Sequence, residues 1–402
     1  EKIIMNYDIQ LKNNINKNYI YTLLQNIDLT RGIWMIYLAG KGMSLTQLGL
    51  LEMIFHITSF LMEVPTGAVA DIFGRRISRI LGRVLSLVSV VILLAADGFL
   101  WFAISFVFTA LSFNLESGAG DALIYDSLKE IGEEDRYMKI SGRKEVFYQA
   151  AEVISFLAGG YMATKSYNIA FAITIIIGAA AVLQSFSFKE PTIGRKKEDQ
   201  KGKNIFLNQL KESLRVVKSN PRIVSLIVFT EIILTFCTCI FFYLQNFMKG
   251  YGYNEAIIGV VYAASFVAAA LTASWVHRIE RVIKKQGILL IIPFVTVACL
   301  WGIALSPYHF IFFILLTITE EIVFIAMSDY INKMIPSENR ATILSFSSMI
   351  FSFFMITVFP LVGLLGDRYS LSFAIKCLGG LGIVFVIINS VLLLNPGRKI
   401  RK

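Results

Sequence analysis

Ionisable side chains inside long apolar runs mark where this chain could do chemistry. Asp28 and Arg31 lie in the run 18–40, Glu52, His56 and Glu63 in 45–70, and Glu116 and Asp121 in 98–127. Glu145 and Glu152 lie in 137–163, Glu231 in 221–248, and Glu320, Glu321 and Asp329 in 308–333. A charge held in hydrocarbon costs about 2.5 kcal/mol or more, so each is a candidate for carrying a proton or gripping a charged solute. Glu231 has no basic residue within a helical turn, which favours its protonated form and makes it the first candidate proton carrier; Asp28 and Glu116 follow. Helical spacing groups the rest. Gln25 and Arg31 flank the face that carries Asp28, while Thr235, Thr238 and Gln245 continue the face of Glu231, and Glu321 shares a face with Phe324. These stripes, with Asn114, are the expected lining of a substrate cavity. Asp28 and Arg31, three apart, could equally neutralise one another.

The elements that must position these groups follow from composition. The chain has 402 residues, 56% hydrophobic and only 16% charged, which excludes a water-soluble globule. Twelve apolar stretches reach the roughly twenty residues needed to cross a bilayer: 18–40, 45–70, 77–96, 98–127, 137–163, 167–188, 221–248, 254–276, 286–305, 308–333, 340–366 and 369–394. None alternates strictly, so a β-barrel is excluded and the expected class is an all-α membrane protein. Lys and Arg concentrate in alternate connections, which places both termini in the cytoplasm. The net charge of +10 is then topology plus attraction to anionic lipid, and calls for no nucleic acid. Lys-, Asn- and Ile-rich usage points to a bacterial plasma membrane. The four cysteines lie within apolar runs without metal-ligand spacing, so neither metal nor cofactor is expected.

The polar stretch 189–220 divides the spans six and six. The expected domains are 1–188, a linker 189–220 carrying an amphipathic helix around Phe206, Leu210, Leu214 and Val217, and 221–402. The halves echo one another. Asp135-Arg136, Ser141, Gly159, Ser166 and Ala170 recur as Asn339-Arg340, Ser345, Gly363, Ser370 and Ala374, all at an offset of 204, and SLTQLG (44–49) parallels NEAIIG (254–259). Duplicated halves are a mark of secondary transporters.

Between the second and third spans stands GAVADIFGRR (67–76). With Gly67, Asp71, Gly74, Arg75 and Arg76 it resembles the G-x-x-x-D-x-x-G-R-R signature of the major facilitator superfamily. The resemblance implies two pseudo-symmetric six-helix bundles working by alternating access, with a cytoplasmic latch among Asp71, Arg75 and Asp126. Within the family the chain is most similar to the twelve-helix drug/proton antiporters, with departures. Asn114, before Gly118, stands where they carry an Arg, and SFLAGG (155–160) keeps Gly159 and Gly160 but lacks their Gly-Pro.

These features imply a monomeric secondary transporter surrounded by lipid, moving a small molecule and protons. Efflux of amphipathic cations is the leading expectation; sugar-type uptake and the flipping of lipids or their precursors are the alternatives. An enzyme is not expected: no H-E-x-x-H, nucleophile elbow or phosphate-binding loop occurs, and Asp121 and Asp126, five apart on one helix, cannot face each other as a protease dyad.

Overall fold

A computed structural model describes residues 2–193, 221–335 and 340–394. Among them every regular element is helical: α1 (Lys2–Asn26), α2 (Trp34–Gly40), α3 (Leu45–Phe73), α4 (Arg75–Ala95), α5 (Phe99–Glu116), α6 (Ala119–Glu130), α7 (Tyr137–Ala163), α8 (Tyr167–Ser185), α9 (Pro221–Gly250), α10 (Glu255–Leu305), α11 (His309–Met334), α12 (Arg340–Arg368) and α13 (Leu371–Leu394). The amphipathic helix expected around 206–217 lies outside the described residues.

Nine helical stretches among the described residues are long and apolar enough to cross a membrane. One, α10, contains two spans meeting at Lys284, whose φ of 59° interrupts the helix. Helix 1 (α1 with α2) and the more polar α7 complete the twelve.

Two spans expected to be continuous are broken. The first stops at Asn26 and resumes at Trp34. Asp28 Oδ1 accepts from Thr30 N (2.9 Å) and Thr30 Oγ1 (2.6 Å), a local turn that competes with the helix ladder. The freed amides find partners on other helices: Asp28 N donates to Ser155 Oγ at 2.9 Å and Leu29 N to Thr174 Oγ1 at 3.0 Å. Gly159 of α7 allows this approach, because a Cβ there would lie 2.1 Å from Leu29 O. The fourth span breaks at Ser117–Gly118, where Gly118 takes φ 75° before α6 begins. Irregular backbone is tolerated at membrane depth where protein or a water-filled cavity surrounds it.

The chain forms two compact units. Unit 1 holds residues 1–43, 51–208 and 253–263; unit 2 holds 44–50, 209–252 and 264–402. In unit 1, α4 packs on α5 and α8, and α1 on α6, α7 and α8. Hydroxyls join α4 to α5: Ser89 Oγ lies 2.8 Å from Ser105 Oγ and 2.6 Å from Thr109 Oγ1. In unit 2, α9 packs on α11, α12 and α13. Asp367 receives the Leu45 and Thr46 amides at 2.9 and 2.7 Å and so caps the first turn of α3.

Candidate functional site

Both helix breaks of unit 1 open onto one cavity of about 560 Å³. Gln25, Asp28 and Arg31 line it from helix 1, Arg79 and Arg83 from α4, Glu116 and Asp121 from the two sides of the break between α5 and α6, and Lys144 and Glu145 from α7. Gln25, Asp28, Arg31 and Glu116, picked out from the sequence, are therefore brought together. Discontinuous helices whose ends turn toward a cavity are a recurrent way of building solute sites in transporters.

Most of the charges are already engaged. Arg79, only 2% exposed, donates to Glu116 Oε1 (2.9 Å) and Asn18 Oδ1 (3.1 Å). Its guanidinium also lies over the rings of Tyr21 (4.1 Å) and Phe188 (4.6 Å). Tyr21 OH donates to the other oxygen of Glu116 at 3.0 Å. Glu116 is thus held at both oxygens, which suits an anchor better than a proton carrier. Arg31 forms an ion pair with the fully buried Glu152. The Asx turn at Asp28 occupies the Asp28 carboxylate, and Lys144 pairs with Asp121.

Asn114 belongs elsewhere. Its amide donates to Ser59 O and its carbonyl accepts from Ser59 Oγ, both at 2.7 Å, so both ends are spent on joining α5 to α3. Glu116 meets its arginine on another helix, Arg79 of α4, a relation that spacing along one helix could not reveal.

The expected latch is rearranged. Arg75 and Asp126 pair at 3.0 Å. Asp71 makes no hydrogen bond or ion pair among the described residues; Glu190 takes the position at the start of α4. Its carboxylate receives the Arg75 and Arg76 amides at 2.8 and 2.7 Å. A Cβ on Gly74 would lie 2.7 Å from Glu190 Oε1, and Gly74 has φ 102°, so glycine is required there. Gly67, by contrast, has open space around it and serves no close approach. A carboxylate at a helix N-terminus meets orphan amides and the positive end of the helix dipole. Arg76 also donates to Phe186 O at 2.7 Å, and Asn14 holds Lys189 through both its backbone groups. Residues 186–190 are thereby fastened to unit 1 rather than acting as free linker. The cue was an acid just before Pro191, 116 residues after Gly74 in the chain.

In unit 2 the polar stripe of α9 is packed inside. Glu231 is 6% exposed, Thr235 1% and Gln245 fully buried, while Thr238 is half-buried. Thr235 Oγ1 bonds back to Glu231 O at 2.6 Å and Ser347 donates to Glu231 Oε1. Glu231 has no cation within ion-pair distance among the described residues. On α11, Glu321 is half-buried and Phe324 stands exposed.

Comparison with known proteins places this geometry. The model of the Major Facilitator Superfamily matches residues 30–349. An uncharacterized MFS-type transporter, YxaM of Bacillus subtilis strain 168, is 22% identical over 345 residues, covering 85% of this chain and 86% of that protein. Among solved structures, the nucleoside transporter NupG superposes with a TM-score of 0.73 at 13% identity, over 97% of this chain and 99% of that one. A bacterial homolog of the human lysosomal transporter Spinster, inward-facing and unoccupied, superposes at 0.70 and 15%, over 96% and 95%.

Proposed function

Because this chain belongs to the major facilitator superfamily and is a multi-pass membrane transporter, not an enzyme, we propose that it couples the movement of a polar, charged organic solute to protons by alternating access. One observation carries the choice of solute: the cavity at the two helix breaks is lined by ionisable groups of both signs. A volume near 560 Å³ suits a solute of sugar-phosphate size. Lipophilic cations, the leading expectation from sequence, would want aromatic walls, and the aromatic lining amounts to Phe113 and Tyr148. The solved relatives share too little sequence to bear on the substrate.

The proton is assigned to Glu231. Its carboxyl is nearly sealed from solvent, receives a hydroxyl from Ser347 and faces no cation among the described residues, so neutralisation by a proton is the inexpensive way to keep it there. Occupied in a local turn and in a two-sided clamp, Asp28 and Glu116 suit the role less. The positive-inside distribution of Lys and Arg supports cytoplasmic termini.

Liposomes holding the purified protein and a lumenal pH dye test this reading. Addition of D-glucose, gluconate, glucose 6-phosphate, choline or ethidium should move protons for one or more of the polar solutes and not for ethidium, and Glu231→Gln should abolish the movement. Proton movement with ethidium alone would return the account to drug efflux; the sign of the pH change separates symport from antiport.

A further inference from the structure

Among the described residues, Arg83 is the cavity cation with no acid within ion-pair distance. It lies on α4 one turn beyond Arg79, and among the described residues its one hydrogen bond is from Nη1 to Gln25 O at a long 3.3 Å. Nε is buried and without a partner. A guanidinium carries five N–H donors, so most of its capacity is unused.

Every acid that shares the cavity is engaged elsewhere. Glu116 is held at both oxygens by Arg79 and Tyr21, and Asp121 is paired with Lys144. Asp28 receives the amide and hydroxyl of Thr30, and Glu145 accepts from Gln149 at 2.9 Å. Glu152, outside the lining, pairs with Arg31. α8 contributes Thr174 and Gly178 to the lining and no charge. One role is plain: Arg83 caps a carbonyl freed at the end of α1. A single long bond does not explain a full cation kept at a half-buried cavity wall, where an unpaired charge is costly.

We infer that Arg83 is the anion pole of the unit 1 cavity and that the transported solute carries a carboxylate or phosphate that docks on it. This rests on the reading of the cavity as the solute site and narrows it to organic anions. Planar guanidinium matches either oxyanion through two parallel bonds, whereas a neutral sugar gains little from it. The Gln25 carbonyl and the polar residues around the breaks would meet the hydroxyls of the same solute.

Ligand-dependent thermal unfolding of the full chain in lipid-free detergent reads this without transport or coupling. Probes of one size and different charge are D-glucose, gluconate, glucose 6-phosphate and choline. The expected result is a concentration-dependent rise in unfolding temperature with gluconate, glucose 6-phosphate or both, and none with glucose or choline. The two anions distinguish carboxylate from phosphate. Arg83→Gln should weaken anion binding roughly tenfold to a hundredfold, and Arg83→Lys by less, because Lys keeps the charge and loses the fork. If Arg83→Gln does not fold, the wild-type panel and Arg83→Lys still decide. Silence from both anions overturns the inference, as does unchanged anion affinity in Arg83→Gln. Proton-linked movement of glucose with unchanged kinetics in Arg83→Lys would overturn it too, while leaving the transporter reading intact.

Discussion

Unit 1 and unit 2 use the same helical material differently. Unit 1 interrupts two of its spans, at 27–33 and at Ser117–Gly118, and surrounds the gaps with arginines, a lysine and carboxylates. In unit 2 the spans α9 and α11 run unbroken, and Glu231 sits buried against a serine. Breaking a helix exposes amides and carbonyls that can recognise a solute but must otherwise be satisfied by side chains. An intact helix offers no such groups, so an acid on it answers mainly to protonation. From this contrast we propose that recognition belongs to one unit and proton handling to the other.

The predictions that probe this contrast begin with Glu152. Removing it as Glu152→Ala takes a fully buried carboxylate out of the ion pair with Arg31 and should cost about 3 kcal/mol in unfolding experiments. Glu231→Gln, its counterpart in unit 2, removes no ion pair and should leave the unfolding temperature near wild type while stopping proton movement. Equal stability losses at the two positions would erase the distinction between the units. Next comes Gly159→Ala, which forces a methyl into Leu29 O and should cost about 1–3 kcal/mol; Gly67→Ala, in open space, should cost nothing measurable.

Glu190→Ala should follow, at about 1–3 kcal/mol, because it strips a carboxylate from two amides at the start of α4. Asp71→Ala should be nearly silent in the same assay. The smallest effect belongs to Lys12, whose ammonium, helped by Arg136, holds the half-buried Glu133 carboxyl below its ordinary range. A lowered carboxylate pKa contributes at neutral pH and is lost as pH falls through the folded value. Lys12→Ala should therefore narrow acid tolerance slightly and leave the neutral-pH unfolding temperature unresolved from wild type.

Much of the architecture was legible because it follows from apolar length, charge asymmetry and repetition. The paired segments SLTQLG and NEAIIG illustrate it: both place a glycine at a tight helix crossing. A Cβ on Gly49 would lie 2.8 Å from Pro360 Cα within unit 2, and one on Gly259 would lie 2.3 Å from Phe156 O within unit 1. The breaks were not legible as breaks. LQNIDLTRG reads as apolar enough to span, and its Asn, Asp, Thr and Gly became a turn only because Ser155 and Thr174 on other helices accept the freed amides. Residues whose role depends on a distant segment were missed for the same reason: Glu190 at the start of α4, Arg79 against Glu116, and Arg83 in the cavity. At Asp71 and Asn114 a motif match or a polar type gave no sign of which neighbour the side chain meets.

The division of labour between the units is tested most directly by exchange of labelled gluconate in proteoliposomes without a pH gradient, set beside gradient-driven accumulation in the same vesicles. In Glu231→Gln, exchange should continue at a rate near wild type while gradient-driven accumulation disappears. Accumulation that persists in the mutant, or exchange and accumulation that fall together, would contradict the assignment of the proton to unit 2 and of the solute to unit 1.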